Sequence, residues 1–369
     1  MKFTCTQENL NRGLNLTCHV ANRNATLPIL NNVLIRVTGG VISLSTTNLE
    51  IGIAAQIRGK VEKEGEFTVQ ARLLADYVNL LPKENIELEL ENETIYLRCG
   101  KYKTFIKGAA AVDFPLIPEM ERKESVVLKS RDLKNALAQA MFAVALDESR
   151  PEISGVFFNF SGKTLTIAGT DSYRLAEKKV KLSTAALEDR KLIIPLRTLQ
   201  EVHRILTDSP DEEISIYLNE NQILFKLNNE VELVSRLVEG QYPDYQQIIP
   251  TTSKTQAKVK TAELNRVVKS VSLFCKPGIN DVKLDFKAEK GELVVSAVNS
   301  AIGENLVTVE AAITGDDNEA VFNYRYLLDG LNNLGSEEIK IELISNTAPG
   351  LIKPVGDDDY LYIVMPIRQ

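Results

Sequence analysis

Apolar and polar residues alternate in short runs along most of the chain, and between these runs apolar residues recur every three or four positions. The alternation predicts β-strands that are buried on one face, and the wider spacing predicts amphipathic helices. The helical spacing is clearest at 126–144, where Leu133 is followed by Ala136, Leu137, Ala140, Met141 and Val144. These side chains form one apolar stripe and leave the opposite helix face polar.

A short strand followed by an amphipathic helix occurs three times in the sequence. The three copies lie at 3–16, 126–144 and 257–274, and their first apolar helical residues are Leu10, Leu133 and Leu264. Thr6, Ser130 and Thr261 stand where a helix N-cap would accept hydrogen bonds from the first backbone N–H groups. The recurrence indicates an internal repeat of domain size.

Three further patterns recur at nearly the same spacing. A strand enters a helix through an x-Arg-x step at 67–82, 192–207 and 320–335, which puts Arg72, Arg197 and Arg325 in register. Alternating strands then begin at Ile86, Ile214 and Ile339, and two strands flank a turn at 33–48, 156–171 and 282–299. We therefore predict an α+β fold of three similar domains, 1–124, 125–252 and 253–369, each with antiparallel sheets and two helices on one side.

Length and composition are typical of a multidomain cytoplasmic protein. With 369 residues, 44% of them hydrophobic, the chain can form two or three domain cores. It has no run of eighteen apolar residues and no signal-peptide pattern at its start, so we expect a soluble, cytoplasmic protein that does not enter membranes. Cys5, Cys18, Cys99 and Cys275 show no metal-ligand spacing, and we expect them to be buried apolar residues, with no metal or cofactor.

The formal net charge of -7 argues against ordinary high-affinity binding of nucleic acid. The charges are segregated, however. Glu87, Glu89, Glu91 and Glu93 are predicted to share the solvent face of one strand, whereas the helices carry Arg12, Arg131, Lys134, Arg197, Arg204, Arg266, Lys269 and Arg325. Such cations could be ordinary solvated residues, or they could form a lining that binds phosphates without reading base sequence.

No catalytic motif is recognisable, because the GxSxG, HExxH, GxGxxG and Walker patterns are all missing from the sequence. The polar run Thr170–Arg174 has no His or Cys close to it in the sequence and is predicted to form a turn. We therefore predict a protein without enzymatic activity.

Several segments resemble the bacterial DNA polymerase III β subunits, the β sliding clamps. They are the start MKF, ATLPILNNVLI at 25–35, GTDSYRLA at 169–176, LVEGQYPDYQQIIP at 237–250, NYRYLLDGL at 323–331 and the ending YIVMPIRQ at 362–369. The resemblance extends over essentially the whole chain. It implies a head-to-tail homodimeric ring around double-stranded DNA, with helices lining the hole and sheets outside.

The resemblance also implies three sets of site residues. A pocket for short peptides of the polymerase III α subunit, the clamp loader δ subunit and other clamp-motif proteins would comprise Arg150, Ile153, Thr170, Tyr173, Arg174, Leu175, Pro243, Ile248, Tyr326, Ile363, Met365, Pro366, Ile367 and Arg368. Candidate DNA contacts are Arg23, Arg72, Arg131, Lys134, Arg197, Arg204, Arg266 and Lys269. The ring contact would join Thr104 and Ile106 to Leu273 and Phe274, of which Ile106, Leu273 and Phe274 are expected to be exposed in a monomer.

The sequence departs from better-known members of the family at a few positions. Ser172 and Tyr173 stand where some members have Gly and His, and Gln369 stands where an apolar residue is common. Pro151 and Glu152 replace two tyrosines that contact DNA in some members, and Asn24 replaces a frequent basic residue. The alternative to a DNA-encircling ring is a peptide-binding scaffold that does not hold DNA, and the alternative to a pocket is a C-terminal strand that only seals its own core.

Overall fold

The computed structural model describes residues 1–21, 27–117, 120–122, 125–147, 149–186, 188–207, 212–227 and 230–368. The α-helices in these ranges are α1 Gln7–Thr17, α2 Ala71–Asn79, α3 Ser130–Met141, α4 Pro151–Ser154, α5 Leu196–Thr207, α6 Thr261–Ser272 and α7 Tyr324–Asn333. Short 3₁₀ turns occur at Pro28–Asn31, Ala111–Asp113, Tyr245–Ile248 and Ala288–Lys290. Within the described ranges, no helix has the length and apolar character needed to cross a membrane.

Antiparallel strands hold more of the described residues than the helices do. The strands of the first part are β1 Lys2–Thr6, β2 Asn32–Thr38, β3 Val41–Thr47, β4 Ile51–Ile57, β5 Lys60–Lys63, β6 Gly65–Gln70, β7 Asn85–Glu91, β8 Thr94–Cys99, β9 Tyr102–Lys107 and β10 Ser125–Lys129. They are followed by β11 Gly155–Ser161, β12 Thr164–Thr170, β13 Arg174–Lys181, β14 Arg190–Pro195, β15 Glu213–Leu218, β16 Gln222–Lys226 and β17 Val231–Arg236. The last are β18 Thr255–Lys260, β19 Asp281–Lys287, β20 Glu292–Asn299, β21 Gly303–Glu310, β22 Ala312–Gly315, β23 Asn318–Asn323, β24 Glu338–Leu343, β25 Gly350–Pro354 and β26 Tyr360–Val364.

The chain forms two compact units. Unit 1 is Met1–Arg131 with Arg197–Leu237, and it holds a sheet in the order β5-β1-β7-β8-β9 and another in the order β10-β15-β16-β17-β4-β3-β2-β6. Unit 2 is Asp132–Leu196 with Val238–Gln369, and it holds the orders β14-β11-β12-β13-β26-β25-β24-β18-β22 and β21-β20-β19-β23. Each unit is therefore built on two antiparallel sheets.

The three predicted strand-and-helix openings are present as β1–α1, β10–α3 and β18–α6, and the first apolar residue of each helix, Leu10, Leu133 or Leu264, is buried. The predicted N-cap is confirmed at Thr6, whose Oγ1 accepts a hydrogen bond from the N–H of Asn9 at 3.2 Å. It is wrong at Thr261, because strand β18 runs directly into the helix and Thr261 is already the first helical residue. Ser130 is likewise the first residue of α3, and its Oγ accepts a bond from the N–H of Glu212 at 3.0 Å.

The second repeated pattern has the same register in all three copies. Arg72, Arg197 and Arg325 are each the second residue of their helix, in α2, α5 and α7, and each is exposed. The predicted strand pairs are also present, as β2–β3, β11–β12 and β19–β20. The repeat read from the sequence thus corresponds to repeated structure.

Two strand pairings join segments that the sequence pattern assigned to different copies. In unit 1, β4 pairs with β17, with Ile53 opposite Leu233. In unit 2, β13 pairs with β26, with Leu175 opposite Ile363. The sheets therefore continue from one copy to the next, which is why the two compact units do not coincide with the three predicted domains. The boundaries 1–124, 125–252 and 253–369 remain a prediction.

The acidic strand differs from its prediction at one residue. Strand β7 ends at Glu91, and Asn92 and Glu93 form the following tight turn with φ values of 44° and 60°. Glu93 therefore does not share the strand face with Glu87 and Glu89. Those two carboxylates lie beside Lys2, whose Nζ is 2.9 Å from Glu87 and 3.4 Å from Glu89.

Candidate functional site

The turn between β12 and β13 carries the centre of the predicted pocket. Oδ1 of Asp171 accepts hydrogen bonds from the backbone N–H groups of Tyr173 and Arg174, at 2.9 and 3.0 Å. Ser172 between them has a left-handed φ of 76°, a conformation that usually favours glycine. The predicted turn is confirmed, and its acidic residue stabilises the backbone.

Arg174 is fixed from several directions. Its Nε donates to Asp171 at 3.0 Å, its Nη1 donates to Asp329, and its guanidinium lies over the rings of Tyr326 and Phe142, at 4.7 and 5.7 Å from their centroids. Burial opposes its charge, but Tyr362 and the two carboxyls hold the pKa of Arg174 above its ordinary value. Asp329 and Phe142 were not predicted, because only the fold brings them beside Arg174.

The C-terminal tail continues along the same turn. Beyond the β13–β26 pairing, the N–H of Met365 donates to the carbonyl of Tyr173 at 2.8 Å, and that of Ile367 donates to the carbonyl of Val321 at 2.7 Å. Met365, Pro366 and Ile367 are partly buried, and Arg368 is exposed. The tail therefore presents apolar side chains in addition to sealing the core.

The predicted pocket residues divide into two layers. Ile153, Leu175 and Ile363 are buried in one apolar cluster, and Thr170, paired with Leu175, is also buried. These four form the packed layer beneath the surface, and a peptide could touch them only after the atoms above them moved. Tyr173, which is 62% exposed, belongs to the accessible layer, as do the two residues of the loop at 237–250, Pro243 and Ile248.

Two aromatic rings and an arginine lie at the edge of this accessible layer. The rings of Tyr173 and Tyr326 are nearly parallel, with centroids 6.5 Å apart. Nη1 of Arg150 donates to Oγ of Ser172 at 2.9 Å, and its Nε is 3.3 Å from Glu152. Contacts thus join Arg150, the turn at 170–175 and the tail strand into one neighbourhood of unit 2. We call this neighbourhood, together with Pro243, Ile248 and the tail at 365–368, the tail groove, and its use as a binding site remains a prediction.

The predicted DNA contacts in unit 1 are not equivalent. Arg72, Arg131 and Arg197 are exposed. Arg204, in contrast, donates to Glu201 at 2.8 Å and to the carbonyls of Asn15 and Leu16, at 3.1 and 3.0 Å, near the C-terminal end of α1. Its guanidinium therefore already stabilises a helix end and is less available to a phosphate than those of the exposed Arg72 and Arg197.

In unit 2, Arg266 and Lys269 are exposed on α6, and Lys134 on α3 is partly buried. Arg266 and Lys269 line an open groove of 1110 Å³ together with Lys260, which was not predicted. The groove also contains Glu337 and Glu338, so its charge is mixed. Arg23 and Asn24 lie outside the described residues, as does Gln369.

The predicted ring contact needs two corrections. Ile106 is 7% exposed and packs in the core of unit 1, because alternation along β9 turns its side chain inward. The exposed neighbour on the strand is Phe105, which is 62% exposed to solvent. Leu273 is 74% exposed as predicted, and Thr104 is partly buried. Phe274 was also expected to be exposed, but it is partly buried because it packs against the core of unit 2. Strand β9 forms the edge of one sheet of unit 1, and β21 forms an edge of one sheet of unit 2.

The cysteines and acids give no sign of a metal site in the part of the chain that the structure describes. There, no three His, Cys, Asp or Glu side chains are close enough to hold an ion. The four cysteines are free, and burial raises the pKa of Cys5 and Cys18 to about 12. Thiols with such pKa values are poor nucleophiles at neutral pH.

The repeated antiparallel sheets and their strand-and-helix openings form the fold of a DNA clamp. Three family models match the chain: the DNA polymerase III beta subunit N-terminal domain at 1–118, central domain at 127–244 and C-terminal domain at 246–368. The chain belongs to the DNA polymerase III beta subunit family, the β sliding clamps. It is accordingly a DNA sliding clamp, a processivity factor without catalysis of its own.

Individual relatives are similar along their whole length. The beta sliding clamps of Synechococcus elongatus and Staphylococcus aureus are each 30% identical over 100% of this chain and 99% of their own. The DnaN sliding clamp of Pseudomonas aeruginosa bound to griselimycin has a TM-score of 0.95 at 28% identity and covers 100% of both chains. The Bacillus subtilis clamp has a TM-score of 0.94 at 30% identity, covering 100% of this chain and 99% of its own.

Proposed function

We propose that two copies of this chain close head to tail into a ring around duplex DNA and tether the replicative polymerase to it. The three domains would be 1–124, 125–252 and 253–369, and the place of action would be the cytoplasm, where a bacterial chromosome is copied. The observation that carries the proposal is the register of Arg72, Arg197 and Arg325. A cation in the first helical turn opposes the helix dipole at a cost of about 0.3–1 kcal/mol, so its threefold recurrence is better explained by a phosphate ligand than by stability.

The exposed cations favour contacts with phosphates that do not depend on base sequence. Because the formal net charge is -7, such contacts would be weak and salt-sensitive. Closure of a ring would remove the need for affinity, since a closed ring leaves DNA only by opening or by sliding off an end. From the predicted set, the proposed contacts are Arg72, Arg131, Lys134, Arg197, Arg266 and Lys269, and Arg23 and Arg204 are its remaining members. Arg325 is added to these contacts because it shares the helix position of Arg72 and Arg197.

Ring closure would use the two sheet edges. An edge strand has unpaired backbone N–H and C=O groups that can accept another strand. Edge strand β9 carries exposed Phe105, edge strand β21 carries exposed Leu306, and exposed Leu273 follows α6. Pairing β9 of one copy with β21 of another would bury these side chains and satisfy both edges, and Thr104 and Phe274 would lie at the same contact. Such a contact is expected of an obligate dimer.

The ring is tested by its retention on DNA of different topology. We expect the protein, loaded onto nicked circular DNA by a clamp loader, to remain bound in high salt and to dissociate once the circle is linearised. A linear duplex with both ends blocked is the control, and it should retain the protein. Equal loss from the circular and the linearised DNA would contradict encirclement and would favour a peptide-binding scaffold that does not hold DNA.

We further propose that the tail groove binds short extended peptides of the polymerase III α subunit, the clamp loader δ subunit and other clamp-motif proteins. Met365, Pro366 and Ile367 offer an adaptable apolar surface, which suits many partners. Arg150 and Arg368 are exposed beside it and would fix the direction of a peptide by polar contacts.

The groove is tested by placing charges in the tail. We expect Met365→Asp and Ile367→Asp to abolish binding of a fluorescein-labelled peptide from the polymerase α subunit while dimerisation is retained. Val355→Asp is the matched control, because Val355 is an exposed apolar residue of the same unit outside the groove. Loss of the dimer in the two tail variants would mean that the tail is structural.

A further inference from the structure

The loop at 237–250 supplies two accessible residues of the tail groove, Pro243 and Ile248. Tyr242, which precedes Pro243, and Tyr245, which lies between Pro243 and Ile248 in the sequence, are buried in the same apolar cluster as Leu175 and Ile363. Their rings pack on Phe157, with centroids 4.8 Å away for Tyr242 and 6.0 Å away for Tyr245. The loop is therefore attached to the layer beneath the groove by two tyrosines.

The two attachments differ in strength. The hydroxyl of Tyr245 donates to Oε2 of Glu177 at 2.6 Å, whereas that of Tyr242 is 3.4 Å from the carbonyl of Ala168. Glu177 is only 4% exposed, and its second polar contact is a long one, with Nζ of Lys179 3.8 Å from Oε1. A short bond to a carboxyl in a site that excludes water is among the stronger hydrogen bonds in proteins.

Glu177 lies on β13, the strand that begins with Arg174 and pairs with the tail strand β26. The Tyr245–Glu177 bond therefore joins the loop that carries Pro243 and Ile248 to the strand that begins at Arg174 and pairs with the tail strand. Burial and the neighbouring Glu177 raise the pKa of Tyr245 far above neutral, so its hydroxyl keeps the proton that it donates.

We propose that Tyr245 and Glu177 are a positioning pair, whose hydrogen bond holds Pro243 and Ile248 at the distance from β13 and β26 that a bound peptide requires. The inference rests on the proposed function of the tail groove and adds to it two residues that do not touch the peptide. Without the bond, the loop would be held by ring packing alone, which restrains sliding and rotation less than a directional bond does.

The experiment compares two replacements of Glu177. Glu177→Gln and Glu177→Met both remove the charge and the contact with Lys179, but only glutamine keeps an oxygen that accepts the bond from Tyr245. Tyr245→Phe removes the donor and keeps the ring. Each variant is made in the full chain, and affinity is measured by fluorescence anisotropy with the fluorescein-labelled α-subunit peptide. Dimerisation and the thermal midpoint are measured in parallel.

We expect Glu177→Met and Tyr245→Phe to weaken peptide binding on the order of tenfold, the effect of one lost hydrogen bond, and Glu177→Gln to stay within about threefold of the unaltered protein. The double variant Tyr245→Phe with Glu177→Met should regain thermal stability, because no buried polar group is left unpaired, but it should not regain affinity. Recovery of affinity along with stability would show a merely structural role.

Two other outcomes would overturn the inference. One is equal affinity of all variants and the unaltered protein, and the other is a loss in Glu177→Gln as large as in Glu177→Met. If Glu177→Met fails to fold, Tyr245→Phe takes its place in the comparison with Glu177→Gln, because it removes the same hydrogen bond and leaves the packing intact. Failure of the unaltered protein to bind the peptide would refute the function of the groove itself and is thereby distinguished from failure of the positioning pair.

Discussion

Replacing Phe105 by aspartate should break the proposed dimer. Phe105 is 62% exposed on edge strand β9, which corresponds to roughly 120 Å² of apolar surface for a phenylalanine side chain. At about 25 cal/mol per Å², burying that surface would contribute about 3 kcal/mol at each interface. A ring of two copies has two such interfaces, so the substitution should cost about 6 kcal/mol in total.

This free energy corresponds to about four orders of magnitude in the dissociation constant of the dimer, since about 1.4 kcal/mol changes an equilibrium constant tenfold. The cost of burying the new carboxylate would add to it. Sedimentation velocity over a range of protein concentrations measures the change, with the unaltered protein as the reference. We expect Phe105→Asp to sediment as a folded monomer where the reference is a dimer.

Leu73→Asp is a suitable control, because Leu73 is an exposed apolar residue on helix α2 and lies on no sheet edge. It should remain a dimer. If the Phe105→Asp dimer has the same dissociation constant as the reference, β9 is not the ring contact. Phe105 would then not take the place of Ile106 in dimerisation. Circular dichroism must show that the variant is folded for the comparison to hold.

Two further predictions concern residues whose charges serve the fold. Arg204→Ala should lower the free energy of unfolding, measured by urea denaturation, by about 1–3 kcal/mol, because Glu201 and the carbonyls of Asn15 and Leu16 lose their donor. Retention of the variant on circular DNA should persist. Unchanged stability with lost retention would instead make Arg204 a DNA contact. The hydrogen bond from Lys2 lowers the pKa of Glu87 and raises that of Lys2, so its stabilisation is present above the ordinary glutamate pKa and is lost as pH falls through the lowered one. On the alkaline side it is fully present below the ordinary lysine pKa and is lost as pH rises through the raised one. The difference in free energy of unfolding between the unaltered protein and Lys2→Met should therefore be constant from about pH 5 to 10 and vanish in acid. A difference that survives at about pH 2 would contradict the assignment of this stabilisation to the Lys2–Glu87 hydrogen bond.

The local elements could be predicted because short-range physics forms them. The helix that contains Leu133, the hairpin at 33–48 and the Asx turn at Asp171 each follow from side-chain periodicity or from a polar side chain that bonds its own backbone. The threefold repeat was visible for the same reason, since similar patterns fold into similar elements. The residues at the tail groove came from resemblance to a family, and their roles remain predictions.

Exposure was predicted less well, because it depends on which face of an element another element covers. Ile106 and Phe105 are neighbours on one strand, and the sequence does not say which of the two packs in the core of unit 1. Arg204 has the sequence character of a surface cation, yet its guanidinium is bonded at the end of α1, about 190 residues away along the chain.

The sequence by itself determined the elements, their order and their threefold recurrence, because helix and strand periodicity depend on neighbours within a few positions. Only the tertiary structure decided that β4 pairs with β17 and β13 with β26, which continues each sheet from one copy into the next. It also decided that Glu177 meets Tyr245 and that Arg174 meets Asp329. Such contacts join residues that are far apart in the chain, and their partners are selected by the packing of whole sheets, which leaves no periodic trace in the sequence.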